Sequence, residues 1–549
     1  MSEVRWIKCR ACSLPDTSSL RCHCCCCLRW RQDRLFPALP PEQSKVERVV
    51  CLRKLVGRSM MKNIMKPAAL LVLAGMGALA LAGCSPSSGP DAAADGKGGT
   101  EAKAGKPVEL NVMVMQENNG DETEKQAWES IVKSYTESHP GVKINLQLQN
   151  FPGVEQHRTW VTTQLIGGTA PDIFTTRYIW DQEDLKKGLL VDLTSYYKQK
   201  NDYTDGKTWE DIFPKPVLKQ LIGDDQTYAS VPSYVNSVRV LYNKDLFTQA
   251  GISSIPKTWN EFMAAQEKLK NIGVVPFAFP NSKPGDYNYS WSTRILTEEL
   301  IAGSYDKLDT NKNGVIEINE YARGVDQGVI DIEKSPYKDV FPILKEWSKY
   351  WPKGFNGLDF DSAGDLFLRG KAAMVMRTGA QSKVLYESSA RKFEMAAFPL
   401  PYLTKENHPD AVGKLMEIGG VPAGNMAIPK TIAPEKMSAA VDFLAYTTSP
   451  KVQGLLGEKL YRTPVISNAA LPDKLQGFQF VGETMQLNIY AGEVDKNVTE
   501  NNQKLGQLYL EGSTPLEKYV GDLKKMMVEG VKKKMEENKW SKDNNYGLK

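Results

Sequence analysis

From Val108 onward, apolar and polar positions alternate between strand and helix periods. VELNVMVM (108–115) is rich in β-branched and apolar residues and predicts a buried strand. A polar loop, Gln116 to Asp121, leads into a helix. Trp128, Ile131, Val132 and Tyr135 lie at i, i+3, i+4 and i+7, on one helical face. His139-Pro140-Gly141 stops that helix. VKINLQLQ (142–149) alternates as a second strand. A second helix precedes GGTAPDIFTT (167–176), whose apolar middle predicts a third strand. The order β-α-β-α-β opens an α/β sheet, where ligands sit at the carboxyl ends of the strands. The loops at those ends are Gln116–Asp121 and Thr175–Asp181.

A different apolar run lies upstream. MKNIMKPAALLVLAGMGALALAGC (61–84) has a basic start, an apolar stretch from Ala68 to Ala82, and Leu81-Ala82-Gly83-Cys84 at its end. The stretch is short for a membrane span, which needs about 20 residues, and reads as a signal peptide over 61–83. Its ending resembles the lipobox of bacterial lipoproteins, which implies that Cys84 is lipidated and becomes the N-terminus. Residues 84–106 are small and polar and predict a flexible tether. Residues 1–60 are expected to be a mis-assigned upstream extension, disordered, with the true start at Met60, Met61 or Met65.

Composition changes meaning once these segments are set aside. The whole chain carries a formal charge of +4, but from Cys84 onward 60 acidic residues outweigh 55 basic ones. Nothing there points to nucleic acid. Eight of the nine cysteines precede Met60 and none follows Cys84, so no disulfide framework is expected. The remaining length suggests two domains.

Four blocks carry a family resemblance. They are Gly168-Thr169-Ala170-Pro171-Asp172-Ile173 with KGLLVDL (187–193), Val231-Pro232-Ser233-Tyr234 with LYNKDLFTQAGISSIPKTWNEFMAAQEKL (241–269), LFLRGKAAMVMRTGA (366–380), and MAIPKTIAPEKMSAAVDFLAYTTSPKVQ (426–453). In this order they resemble family 1 extracellular solute-binding proteins of ABC importers. The resemblance implies a two-lobed periplasmic-binding-protein-like α/β fold with a ligand cleft between lobes joined by crossing hinge segments. We expect crossings near Asn236–Tyr242, Ala372–Met376 and Met426–Lys430. Lobe one then holds 107–238 with 374–427, and lobe two holds 239–373 with 428–549.

DTNKNGVIEINE, Asp309 to Glu320, fits the spacing of a calcium loop. Asp309, Asn311 and Asn313 supply oxygens, Val315 its carbonyl, and Glu320 a bidentate carboxylate. Gly314 permits the sharp turn, and Ile316 pins the loop to its neighbours. A structural Ca2+ is therefore expected, and some similar solute-binding proteins, including alginate-binding ones, carry such a loop.

The candidate ligand residues are Glu117, Asn118, Arg177, Tyr178, Trp180, Asp181, Tyr234, Asn236, Tyr289, Trp291 and Arg377. Aromatic faces stack on the C–H faces of sugars while polar groups fix hydroxyls. Trp128, Trp259, Trp347 and Trp540 read instead as core. Signals for catalysis are poor. Only His139, His157 and His408 follow Cys84, and no metalloprotease or nucleophile-elbow motif occurs. The expected function is a lipid-anchored extracytoplasmic capture protein, not an enzyme. Its partners would be a carbohydrate, ABC permease transmembrane subunits, and the membrane through the lipid anchor only. It would be a monomer. The alternative is a sensor component that hands ligand to a signalling receptor.

Overall fold

The computed structural model describes residues 107–548 except 118–120, 224, 283–286 and 488–494. The upstream extension, the signal peptide, Cys84, the tether and Asn118 lie outside the described residues.

The opening follows the sequence pattern. β1 (Val108–Met115), β2 (Val142–Gln149) and β3 (Ile173–Thr176) are separated by α1 (Glu122–Ser138) and α2 (Val154–Gly167). β1 pairs in parallel with β2 from Val108↔Val142 to Met115↔Gln149, and with β3 at Val112↔Ile173. Alternation decides which face each side chain joins. Leu110, Val112 and Val114 pack with Trp128, Ile131 and Tyr135 of α1. Met113 packs on the other face with Val161 and Leu165 of α2. Asp121 caps α1 by accepting from the N–H groups of Thr123 and Glu124. α3 (Tyr178–Lys186) follows β3 directly.

A second sheet has the order β6-β7-β5-β8. Its strands are β5 (Val238–Asn243), β6 (Val275–Phe277), β7 (Ala372–Thr378) and β8 (Met395–Phe398). β7 is buried along its whole length, so its sequence is apolar at nearly every position rather than alternating. Trp259, Phe262, Phe277, Phe279 and Trp347 fill the core beside this sheet. The helices Lys496–Glu511 and Leu516–Asn538 complete this lobe, the second through Tyr519, Leu523, Met527 and Val531.

The lobe boundaries need correction. β4 (Tyr234–Asn236) pairs antiparallel with β10 (Val421–Ala423), which follows the short β9 (Met416–Glu417), and Val235 also bridges to Thr463. These three segments are the crossings. The first crossing therefore lies at 234–238, close to its expected place. The expected second crossing at 372–376 is instead the middle of the lobe-two sheet. The chain stays in lobe two through β8 and returns at β10. β11 (Asn425–Ala427) joins the lobe-one sheet beside β3. The helices Met437–Thr447 and Pro450–Leu460 then pack into the lobe-one core. Residues 374–415 thus belong to lobe two and 428–466 to lobe one, the reverse of the sequence reading. An apolar strand looks alike in either lobe, and only pairing partners distinguish them.

Candidate ligand-binding site

The carboxyl end of β3 runs straight into α3, with Arg177 as its N-cap residue. Arg177's carbonyl accepts from the N–H groups of Trp180 and Asp181 at 2.9 and 3.2 Å. This tight turn gathers several of the candidate residues. The guanidinium carbons of Arg158 and Arg177 lie 5.3 and 5.6 Å from the Trp180 ring centroid, within cation–π range. His157 meets the same ring edge-on at 5.3 Å and stacks on Phe151 at 4.7 Å. Its Nε2–H donates to the Thr175 carbonyl at 2.9 Å. Burial pushes His157 down to about 4, so it is neutral. Arg158 is held by Asp184 at 2.5 Å.

Asp181 turns inward. The Thr176 hydroxyl donates to its Oδ1 at 2.6 Å. Burial raises its carboxyl to about 7, against the opposing effect of the neighbouring Ser230 and Thr176 hydroxyls. Asn425, the cross-strand partner of Thr176, donates its Nδ2–H to Ser230 Oγ at 3.0 Å.

A second group forms where the crossings meet the loop after β1. The buried Tyr234 hydroxyl donates to Glu117, and the Glu117 N–H donates to Glu124 at 3.1 Å. Arg462, from the third crossing, pairs with Glu124 and lies 4.7 Å from the Tyr234 ring centroid. Burial raises Glu124 despite the opposing pull of Arg462. Asn236 is half-buried in the crossing ribbon, paired with Val421. Tyr178 is half-buried against the lobe-one core.

The lobes also meet at one ion pair, with two further lysines close to the opposite lobe. Lys383, in the lobe-two helix Gly379–Glu387, bonds Asp121 of lobe one at 3.2 Å. Lys534 of lobe two acts on Glu183 of α3, whose carboxyl lies below its ordinary value: burial raises it, and hydrogen bonding to Lys187 with the charges of Lys187, Lys534 and Arg158 outweighs that. Lys219, in the lobe-one helix Lys215–Leu221, fills the space that a Cβ on Gly314 would need.

Other expected residues lie elsewhere. Tyr289 is a core residue of lobe two, its hydroxyl 2.5 Å from that of Tyr519. Trp291 packs in the same core with 9% of its surface exposed. Trp180 is equally covered, so neither shows an open stacking face. Arg377 is buried and bonds the backbone carbonyls of Met376 and Phe360 at 2.9 and 2.5 Å, its guanidinium lying 3.4 Å from the Phe360 ring centroid. Its helical and strand surroundings make it a brace within lobe two. Sequence reading missed Arg158, Glu124, Lys383, Asn425 and Arg462. None has a local signature, and Arg462 meets a carboxylate 338 residues away.

The Asp309–Glu320 loop folds on itself. Asn313 N–H donates to Asn311 Oδ1 at 3.0 Å, Val315 N–H to Asn313 Oδ1 at 2.8 Å, and Gly314 N–H to Asp309 Oδ2 at 2.8 Å. Glu320 Oε1 accepts from the Thr310 N–H at 2.6 Å. Asp309 Oδ1 is buried and has no hydrogen-bond partner. Ile316 is buried, and its N–H donates to the Gln486 carbonyl at 2.8 Å, which pins the loop to lobe two. Gly314 has φ +76°, a conformation that suits glycine. Among the described residues, no three His, Cys, Asp or Glu side chains gather as a metal site, so a cation here would rely on the Asn side chains and a carbonyl as well. No helix among the described residues is long and apolar enough to cross a membrane.

Known proteins resemble this arrangement. The diacetylchitobiose binding protein DasA of Streptomyces coelicolor is 26% identical over 413 residues, covering 74% of this chain and 81% of that protein. An uncharacterized ABC transporter extracellular-binding protein of Pyrococcus horikoshii is 26% identical over 343 residues, covering 58% of this chain and 70% of the relative. Among solved structures, a chitin oligosaccharide binding protein superposes with a TM-score of 0.59 at 19% identity, covering 78% of this chain and all of that one. RafE in complex with raffinose gives 0.56 at 17% identity, covering 77% of this chain and all of that one. These likenesses at low identity establish the two-lobed fold. The sequence pattern of the bacterial extracellular solute-binding proteins matches residues 119–454, more than half of the chain, and this protein belongs to that family.

Proposed function

We propose that this protein captures an oligosaccharide outside the cell by lobe closure and delivers it to the membrane permease of an ABC importer. The observation that carries the reading is an arrangement in which the β1 loop and the β3–α3 turn both leave carboxyl ends of lobe-one strands, with Tyr234 of the first crossing bonded to Glu117 of the β1 loop. It brings Glu117, Tyr234, Arg177, Tyr178, Trp180 and Asp181 to the carboxyl-end side of the lobe-one sheet, where such sheets bind ligands. Aromatic rings and directed polar groups together suit sugars. Relatives named for diacetylchitobiose, raffinose and maltose support the carbohydrate class. The ligand leaves unchanged, and the protein acts as a monomer without catalysis.

The same reading includes a lipid anchor at Cys84. More than one acyl chain makes such anchoring stable. Labelled palmitate should enter the wild-type protein and not the Cys84→Ser variant; equal labelling of both removes the anchor.

It also includes a structural calcium ion at Asp309, Asn311, Asn313, Val315 and Glu320. The orphaned buried Asp309 Oδ1 and the cradle of Asn oxygens fit a hard cation that takes oxygen ligands. When bound, the ion would neutralise the two carboxylates and hold the loop against lobe two.

Uptake tests the whole. Cells lacking the permease but keeping this protein should bind labelled oligosaccharide at the surface and fail to accumulate it. Undiminished accumulation without any ABC permease contradicts the importer role.

A further inference from the structure

Arg177 differs from the other described arginines. Arg158, Arg239, Arg369 and Arg462 each pair with a carboxylate. Arg323, Arg377 and Arg391 donate to backbone carbonyls. A buried Nε–H without an acceptor is common to Arg177, Arg294, Arg323 and Arg462, but the last three are engaged through other contacts, whereas the Arg177 side chain has no hydrogen-bond or ion-pair partner among the described residues. It is nevertheless held, its guanidinium lying against the Trp180 ring at the mouth of the β3–α3 turn. The nearest acid in the turn, Asp181, is directed to Thr176 instead. Asp184, one helical turn on, is taken by Arg158. No described carboxylate therefore pairs with the Arg177 guanidinium within this turn.

A buried N–H donor without an acceptor is costly, and a planar guanidinium fork matches an oxyanion in two parallel hydrogen bonds. We infer that the ligand carries the missing acceptor: an acidic sugar, with a carboxylate or sulfate group that Arg177 grips while Trp180 holds the guanidinium in place. This rests on the carbohydrate reading above and narrows it. Lysine would keep the charge but lose the fork.

Calorimetry on the intact mature chain tests it. The probes are digalacturonate, cellobiouronate and galactobiose sulfated at one hydroxyl, against neutral galactobiose and cellobiose. At least one acidic probe should bind tenfold or more tighter than its neutral counterpart. A carboxylate source and a sulfate source are told apart by which probe wins. Arg177→Gln should lose that advantage by tenfold or more with little change in melting temperature, and Arg177→Lys should fall between. Neutral probes binding as tightly as acidic ones, or full acidic binding by Arg177→Gln, overturns the acidic ligand and leaves the carbohydrate reading in place. Failure of every acidic and neutral sugar to bind removes both.

Discussion

Lys383 Nζ lies 3.2 Å from Asp121 Oδ2, so a helix of lobe two grips the residue that caps the first helix of lobe one. Both side chains are largely buried. Burial opposes the charge on Asp121, but the Lys383 hydrogen bond and the Glu124 N–H outweigh it and hold the carboxyl below its usual range. One carboxylate thus serves both a helix start and an interlobe tie.

The two roles separate by substitution. Asp121→Asn keeps a capping side chain and removes the charge; Asp121→Ala removes both. Chemical denaturation should show the Ala variant less stable than the Asn variant by about 1 kcal/mol. Small-angle scattering should show the ligand-free Lys383→Met variant more open than wild type. An unchanged radius of gyration leaves Lys383 without a part in holding the lobes.

Calcium should raise the melting temperature, because an ion bound only to the folded state stabilises it by mass action. Adding a chelator reverses the gain, and Glu320→Gln weakens it. Identical melting curves with and without calcium make the loop an ordinary turn.

The pH dependence has two opposed parts. Asp181 titrates near 3.9 unfolded and at about 7 folded. The folded state keeps a proton that the unfolded chain has lost, so this group's stabilisation, complete below about 4, is lost as pH rises to about 7. His157, at about 4 folded and near 6.5 unfolded, contributes stability that is lost as pH falls from about 6.5 to about 4. Asp181→Asn should therefore melt at a temperature that declines less than wild type between pH 5 and 8. Parallel curves for the two proteins contradict a raised Asp181.

Trp180 and Trp347 make a contrasting pair. Trp347 is fully buried and donates to Gln266 Oε1 at 2.9 Å, so Trp347→Ala should cost about 3–5 kcal/mol of stability. Trp180→Ala should cost less stability and more affinity, because it frees Arg177 as well as removing a ring. A Trp180→Ala protein that binds normally but melts as low as Trp347→Ala returns Trp180 to the core.

The lobe-one opening was legible because strand and helix periods there are clean: Val108–Met115 and Val142–Gln149 match their predicted bounds, and α1 buries Trp128, Ile131 and Tyr135 as its spacing requires. The fold class followed from that order and the four blocks. The partition between lobes did not, because β7 and β11 are both short apolar runs whose sheet is set by distant partners. At the site, the turn at Arg177–Asp181 was visible as a strand-end loop. Tyr289 and Trp291 were not separable from ligand aromatics by sequence, since a core helix and a ligand loop use the same rings. The ion pairs Arg462–Glu124 and Lys383–Asp121 join segments hundreds of residues apart and leave no local trace.

Closure on a captured sugar is the central claim, and scattering reads it directly. The mature chain is measured alone and then saturated with the oligosaccharide that raises its melting temperature most. The radius of gyration should fall on saturation, and fall less in the Trp180→Ala variant at the same sugar concentration. A ligand that binds at full stoichiometry while the radius stays the same contradicts capture by lobe closure.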